Sequence, residues 1–235
     1  MSAVIAIVLL AGARPPAPFD PEPLAALARM GAFLREQTAL TLTCTASTDE
    51  VLDTGQKIQL GSRTVVHVRW PDRLRADVAS DRNTRQYFYD GRSVTVAGPR
   101  GTFYATAPAP RTIVELLDVA SSAYDLELPV ARLFYWGTSR SRVERLTSAI
   151  DLGPTTIDDT VCDHYAFREP GRDWQIWIAR GPRPLPRKLV LTATTAPGQP
   201  QHTLELRWNL EPELDDALFT FVPPPDSRRV QALTQ

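Results

Sequence analysis

The chain has 235 residues, of which 43% are apolar and 23% charged, and its formal net charge is −1. These values are those of an ordinary globular protein, and the length suits one sizeable domain or two small ones. Because there is no surplus of basic residues, we do not expect nucleic acid or an anionic membrane surface as a partner.

An uncharged apolar run occupies residues 2–13. It is shorter than the roughly 20 residues that a membrane-spanning helix needs. It ends in Ala11-Gly12-Ala13, an A-x-A cleavage pattern. We therefore expect residues 1–13 to be a signal peptide and the mature chain to be a soluble periplasmic protein without a transmembrane span. An uncleaved anchor is the alternative, since no basic residue precedes the apolar run. Ala13 stands where a lipobox would have its lipidated cysteine, so no lipid anchor is expected.

The two cysteines, Cys44 and Cys162, have two interpretations. In an oxidising compartment they can form a disulfide, which would close a long loop of the unfolded chain. The alternative is two buried free thiols, because an unpaired cysteine behaves as a small apolar residue. The sequence leaves both open.

The first predicted element is a helix from about Asp20 to Gln37. Asp20 is placed to cap it, Pro21 suits the first helical position, and apolar residues then recur every three or four positions. From Ala39 the apolar residues alternate with polar ones, and turn residues separate the runs. This pattern predicts an antiparallel meander with strands at residues 40–46, 66–70, 74–78, 84–89, 93–97 and 102–106.

A helical insert follows the meander. Thr112 and Glu115 are spaced as a capping box, which predicts the start of a helix there. Its apolar stripe consists of Ile113, Leu116, Leu117, Ala120 and Tyr124. A second short helix is predicted over residues 129–136, with Gly137 as its C-terminal stop.

Strands resume after the insert, at residues 161–168, 173–179, 188–194 and 203–209. Phe219 and Phe221 alternate in a last predicted strand before three consecutive prolines. Because the sheet continues on both sides of the insert, we expect a single domain over residues 20–230.

Short motifs carry a resemblance to known families. The chain resembles the LolA/LolB-like lipoprotein-carrier superfamily in RWPDRLR (69–75), YFYDGR (87–92) and DALFTFVPP (216–224). It is similar to the DUF2092 family of predicted periplasmic proteins in CDHYAFR (162–168), WQIWI (174–178) and PLPRK (184–188). The similarity to the second family runs from about residue 20 to the C-terminus.

The resemblance implies an α+β fold, in which a strongly curved antiparallel half-barrel sheet has helices covering its concave face. Carriers of this type hold acyl chains between the sheet and a lid, and the helical insert is the expected lid here. The carriers have a lid-holding arginine just before the strand-ending proline. This chain has Trp70 in that slot, and Arg69, one residue earlier, faces the other side of the strand.

The expected apolar cavity follows from this resemblance. Its candidate residues are Leu116, Leu117, Ala120, Tyr124, Leu133, Phe134, Trp136, Trp174, Ile176, Leu204, Leu206 and Trp208. The alternative is that these side chains form an ordinary core with no room for a guest.

No pattern in the sequence indicates catalysis. Zinc-hydrolase, nucleophile-elbow and P-loop spacings are absent, and Cys162 and His164 share a strand face without a third metal ligand nearby. We expect no catalytic residue, metal or cofactor. Outward-facing arginines (Arg69, Arg73, Arg75) could hold an acidic headgroup or partner, but a solvated face paired with Asp72 and Asp77 is favoured.

The sequence therefore predicts a monomeric periplasmic protein that binds a lipid, an acyl chain or another hydrophobic ligand. The alternative is an envelope interaction or sensing module without a ligand cavity, which would act through a protein partner.

Overall fold

The structure, a computed structural model, describes residues 19–124 and 129–230, without the side chains of 120–124 and 129. Within these ranges it has three α-helices: α1 (Pro21–Glu36), α2 (Ile113–Tyr124) and α3 (Pro129–Leu133). The strands are β1 (Ala39–Val51), β2 (Lys57–Arg69), β3 (Arg73–Ser80), β4 (Thr84–Tyr89), β5 (Ser93–Ala97), β6 (Phe103–Pro108), β7 (Ser148–Ile157), β8 (Thr160–Glu169), β9 (Arg172–Ala179), β10 (Pro186–Ala193), β11 (Gln201–Asn209) and β12 (Arg228–Arg229). Three short 3-10 turns lie at Pro99–Gly101, Val143–Arg145 and Asp216–Phe219.

All twelve strands belong to one large, open, curved sheet with the order β12-β6-β5-β4-β3-β2-β1-β11-β10-β9-β8-β7. Neighbouring strands run antiparallel, except that the two-residue strand β12 lies parallel to β6. The longest pairing joins β1 to β2 in register from Ala39 opposite Arg69 to Val51 opposite Lys57. The two meanders meet where β1 pairs with β11, so the polar and apolar faces continue across the junction.

Helix α1 forms because its apolar residues share one stripe. Leu27, Met30 and Leu34 are three and four positions apart and are completely buried. The predicted capping by Asp20 is wrong, because its side chain makes no bond to the helix N-terminus. Instead its Oδ2 accepts from the backbone N–H of Asp151 at 3.1 Å, and its own N–H donates to the Ala149 carbonyl at 2.9 Å. Asp20 therefore ties the start of α1 to the edge strand β7.

The core lies on one face of the sheet, as the alternation in β1 predicts. Leu40 and Leu42 on β1 and Leu204 and Leu206 on β11 are buried there together with the apolar stripe of α1. The intervening threonines of β1, such as Thr43, point to the opposite face. Apolar area on this face supplies the main stabilisation of the fold, at roughly 25 cal/mol per Å² buried.

The strand predictions hold except for β7 and the short β12, which the sequence pattern does not predict, and for the predicted strand through Phe219 and Phe221. Strand β7 was not predicted, because Gly153, at φ +83°, and Pro154 break the alternation and the register with β8 shifts between Asp151 and Gly153. The predicted strand through Phe219 and Phe221 is wrong, since Asp216–Phe219 form a 3-10 turn. Here Asp215 accepts from the Ala217 N–H at 2.9 Å, which favours a turn over an extended chain.

The C-terminal segment, residues 210–230, covers part of the other face of the sheet. Phe88 on β4 is buried there, with the ring of Phe221 5.3 Å away, and Phe221 also lies 5.1 Å from the Tyr104 ring on β6. Arg69 pairs with Asp216 and lies over the Phe219 ring at 5.4 Å. The segment thus closes a second, smaller apolar layer behind the first meander.

The arginines of the RWPDRLR motif have structural partners. Arg73 pairs with Asp72 at 2.9 Å and Arg75 with Asp77 at 2.9 Å, as favoured from the sequence. Arg69 faces away from the core, as strand period predicts, and holds the C-terminal segment. The three arginines of the motif therefore have a structural role within the protein itself.

Of the two possibilities that the sequence leaves open for the cysteines, the disulfide is not formed. Both thiols are free and buried, with Cys44 on the core face of β1 and Cys162 on the opposite face of β8. Strands β11, β10 and β9 lie between them, a separation of roughly 19 Å along the sheet at about 4.8 Å per strand. A disulfide needs Cα atoms within about 7 Å. The alternative of two buried thiols is the one realised.

We predict that neither thiol reacts in the folded protein. Burial raises the pKa of Cys44 to about 11 and raises that of Cys162, so at pH 8 the thiolate that attacks a reagent is scarce. Without reductant, Ellman's reagent should titrate two thiols in guanidinium chloride and react at least about a hundredfold more slowly with the native protein. Zero thiols in the denatured sample would show a disulfide and contradict the structure.

Candidate functional site

The strand residues predicted for the cavity all lie on the core face of the sheet. Trp174 and Ile176 on β9 and Leu204 and Leu206 on β11 are buried because they occupy alternate positions. Trp208 is half-buried against the same core, and its indole N–H donates to the Pro186 carbonyl at 2.8 Å. The sheet side of the predicted site is therefore one continuous apolar surface.

The helical residues predicted for the cavity pack on that surface. We call residues 113–136, which contain α2 and α3, the helical segment. Leu133 and Trp136 are buried in the core, whereas Leu116, Leu117 and Phe134 are half-buried at its margin. The side chains of Ala120 and Tyr124 lie outside the described residues. Every predicted site residue with a described side chain is thus brought into one apolar cluster.

Aromatic contacts join the helical segment to the sheet. Trp136 lies 5.6 Å from Trp174, and Trp174 stacks on Phe167 with 4.0 Å between ring centroids. Phe134 lies 5.7 Å from Trp70. Phe167 and Trp70 were not among the predicted site residues. The strand register predicts the place of Phe167 once β8 and β9 are paired, because Phe167 lies directly opposite Trp174.

The open space between α3 and the sheet is small. It measures about 30 Å³ and is lined by Arg132, Leu133, Trp136, Arg172, Trp174, Leu189 and Leu191. This volume suits about one water molecule. The indole N–H groups of Trp174 and Trp70 are buried without a hydrogen-bond partner in the described part of the chain. Buried donors are normally paired, so these two indoles are exceptions within an otherwise apolar site.

The start of the helical segment is fixed to the first meander. Thr112 and Glu115 form the predicted capping box, with two reciprocal bonds of 3.2 Å. The buried Ile113 donates its backbone N–H to the Pro71 carbonyl at 2.9 Å. These contacts set the point from which α2 extends over the sheet.

The end of the helical segment is fixed to α1. Arg35 donates from Nη1 to the carbonyls of Phe134 and Trp136, both at 2.7 Å. A Cβ atom on Gly31 would lie only 2.3 Å from the Trp136 carbonyl oxygen, so glycine is required at this crossing. The backbone of the segment therefore touches the backbone of α1 directly.

A buried carboxylate lies beneath α3. Glu169, at the end of β8, has a side chain only 3% exposed. Its Oε1 is 3.4 Å from Arg132 Nη1 on α3 and 3.6 Å from Arg172 Nη1 on β9. A buried charge is tolerated when it is paired, and here one of the two partners belongs to the helical segment. Glu169 thus joins α3 to the β8–β9 hairpin.

The histidines have structural roles. Burial is the largest cause of a lowered pKa in each of them. All three are therefore neutral at pH 7. Each ring contacts a strand side chain: His67 with Thr41 at 2.9 Å, His164 with Gln175 at 3.1 Å and His202 with Thr48 at 2.7 Å. Across residues 19–124 and 129–230, no group of three or more metal-ligating side chains comes together.

Residues 24–233 match the sequence model of a family described as "Predicted periplasmic protein (DUF2092)". The chain belongs to the DUF2092 family. The family predicted from the sequence is thereby confirmed, and its description confirms the predicted periplasmic location. No curated protein sequence matches the chain.

Several solved structures are similar to this DUF2092 protein. Lipoprotein LppX from Mycobacterium tuberculosis is 11% identical, with a TM-score of 0.43 over 84% of this chain and 100% of LppX. LprF from Mycobacterium bovis is 11% identical, with a TM-score of 0.44 over 89% of this chain and 99% of LprF. The LolA superfamily protein NE2245 from Nitrosomonas europaea is 12% identical, with a TM-score of 0.39 over 85% and 97%.

As for membrane insertion, none of the helices in the described part of this DUF2092 chain combines the length and apolarity that crossing a bilayer requires.

We predict that Gly31→Ala destabilises the protein, although alanine is the better helix former by about 1 kcal/mol. The added methyl group would overlap the Trp136 carbonyl oxygen, and overpacking of this kind costs about 1–3 kcal/mol. Urea denaturation should show a lower midpoint with an unchanged slope. The exposed neighbour Ala32→Ser should change stability by no more than about 0.5 kcal/mol. A Gly31→Ala protein as stable as the parent would refute the close contact.

Proposed function

We propose that this protein binds a hydrophobic ligand, a lipid or acyl chain, in the periplasm. The ligand would lie between the core face of the sheet and the helical segment, which acts as a lid over the concave side. Residues 20–230 would form one domain, acting as a monomer and by binding rather than by catalysis.

The observation that carries the proposal is a margin of half-buried apolar side chains where the helical segment meets the sheet. Leu117 and Phe134 from the segment, Leu191 and Trp208 from the sheet, and Trp70 just after β2 pack against the core and are only partly buried. Core residues nearby are fully buried, so the margin is a region where apolar surface is incompletely covered. A guest that enters there would bury this surface, which is the usual driving force for an apolar ligand.

The unpaired indole donors support the same site. Trp70 and Trp174 each leave an N–H without an acceptor inside the apolar region. A buried unpaired donor costs about 1–3 kcal/mol. An ester or carboxyl oxygen at the head of an acyl chain would supply the missing acceptor.

Ligand entry requires the helical segment to move, because only about 30 Å³ is open beneath α3. Pocket volumes for small molecules are about 300–1,000 Å³. At its end the segment is held by the buried Leu133 and Trp136 and by polar contacts from Arg35 and Glu169, all of which would have to re-form after opening. The start, anchored at Ile113, would act as the fixed end.

A second candidate is an envelope interaction or sensing module with no ligand. Dense packing of Trp136, Trp174 and Phe167 favours it, because these rings already fill the space below α3. In that case the helical segment is simply part of the core, and outward-facing surface would contact a protein partner.

We predict that Leu117→Asp and Trp208→Asp each abolish binding of N-phenyl-1-naphthylamine, a neutral apolar fluorescent probe. A carboxylate placed in the proposed site must be desolvated, which costs several kcal/mol and weakens binding by at least about a hundredfold. Fluorescence titration of each variant against the parent protein measures the effect.

Val119→Asp is the matched control, because it puts the same charge on the same helix at a position that is 43% exposed. It should bind the probe as the parent does. If Leu117→Asp or Trp208→Asp stays folded and binds normally, the site is placed wrongly. If the parent itself binds no apolar probe or lipid, the interaction module is favoured.

A further inference from the structure

A second cavity lies apart from the helical segment, between the first half of α1 and strands β7, β8 and β9. Its volume is about 460 Å³. Ala26 and Ile178 form part of its apolar wall, and Tyr165 on β8 also lines it. Charged side chains from α1 and the strands form the rest, so this cavity differs chemically from the apolar site.

Tyr165 is the unusual residue of this cavity. Its ring belongs to the core and the residue is only 2% exposed, yet it is among the residues that line the open space. Its hydroxyl oxygen makes no hydrogen bond within the described residues and is not one of the sealed, unpaired polar atoms of this part of the chain, so it faces the open space. Tyrosine hydroxyls in largely buried residues normally bond to a protein group, so this oxygen is left to a molecule that enters the cavity.

The charges around the hydroxyl group leave a negative excess. Glu22 pairs with Arg29 at 2.6 Å, and Asp163 pairs with Arg180 at 2.6 Å, so these four charges offset one another. Asp151 makes no ion pair within the described residues; its Oδ1 accepts only the Gly153 N–H, at 2.8 Å. The lining thus carries three carboxylates and two guanidinium groups.

The electrostatic environment of the Tyr165 hydroxyl is likewise negative. Burial is the main cause that raises the pKa of its hydroxyl to about 12, and Asp163, Asp151 and Glu22 raise it further, against the opposing Arg29. The hydroxyl is therefore protonated, and the field at its oxygen favours a positively charged ligand.

We propose that this cavity binds a small organic cation with a primary ammonium group. The ammonium N–H groups would donate to the Tyr165 hydroxyl oxygen and to the Asp151 carboxylate, while the alkyl part lies against Ala26 and Ile178. A bare metal ion fits poorly, since the carboxylates in the described chain do not gather into a metal-ligating group. The inference does not rest on the proposed lipid site.

The test uses putrescine (1,4-diaminobutane) in isothermal titration calorimetry at pH 7 and low salt. The parent protein should bind putrescine and should not bind butyrate or 1-butanol, which have similar carbon chains without the ammonium group. Tyr165→Phe removes only the hydroxyl and should weaken binding by about tenfold or more, the loss expected for one hydrogen bond to a charged group. Asp151→Asn, at an exposed position, should have an effect of similar size.

Asp53→Asn is the charge-matched control, since it removes one carboxylate from the exposed turn after β1, and it should bind putrescine as the parent does. Equal affinity in the parent and Tyr165→Phe, binding of butyrate in place of putrescine, or no binding by the parent would each overturn the proposal. If Tyr165→Phe does not fold, the comparison of Asp151→Asn with Asp53→Asn decides the question. Binding of N-phenyl-1-naphthylamine should be unchanged in Tyr165→Phe, which separates this cavity from the lipid site.

Discussion

The apolar face that runs across the centre of the sheet, from Leu40 on β1 to Phe167 on β8, has to be covered if the sheet is to exist in water. Helix α1 covers part of it through Leu27, Met30 and Leu34. The helical segment covers more, and α1 in turn holds the end of that segment through a direct backbone contact at Gly31. The position of every helix thus depends on this one face.

The helices bury the apolar face of the sheet to different degrees in different places. This difference in burial is the physical basis of the proposed function. Beneath α3 the rings of Trp136 and Trp174 pack closely and leave room for about one water. Around α2, beyond the buried Ile113, the apolar side chains of Leu116 and Leu117 are only half-buried. Polar contacts to Glu169 and Arg35 fasten the segment at one end. Leu133 and Trp136 are buried at that same end, so opening has to withdraw them from the core, and the half-buried part of α2 is the least firmly held part of the cover.

Strand and helix periodicity predicted most of the fold, because alternation and the capping box act over a few residues. Thr112 and Glu115 form the predicted bonds, and Leu204 and Leu206 lie on the predicted face. Strand β7 was missed because Gly153 and a neighbouring proline disturb its alternation, and pairing with β8 compensates for them.

Other features depend on contacts between distant parts of the chain, and local patterns do not show them. Whether Cys44 and Cys162 can meet depends on strand order, which places three strands between them. The amount of space under α3 depends on how the large rings interlock. The cavity at Tyr165 exists only because β7 pairs with β8 beside α1. Because the sequence pattern does not predict β7, it does not predict the charged lining of this cavity either.

The most direct test of the account is native mass spectrometry, with lipid extraction, on protein purified from a periplasm. The account predicts a bound acyl species at a stoichiometry near one to one, lost in the variant Leu117→Asp. A protein that is empty as purified, and stays empty after incubation with lipids of its host, would contradict the account. Leu133 and Trp136 would then serve only to close the core.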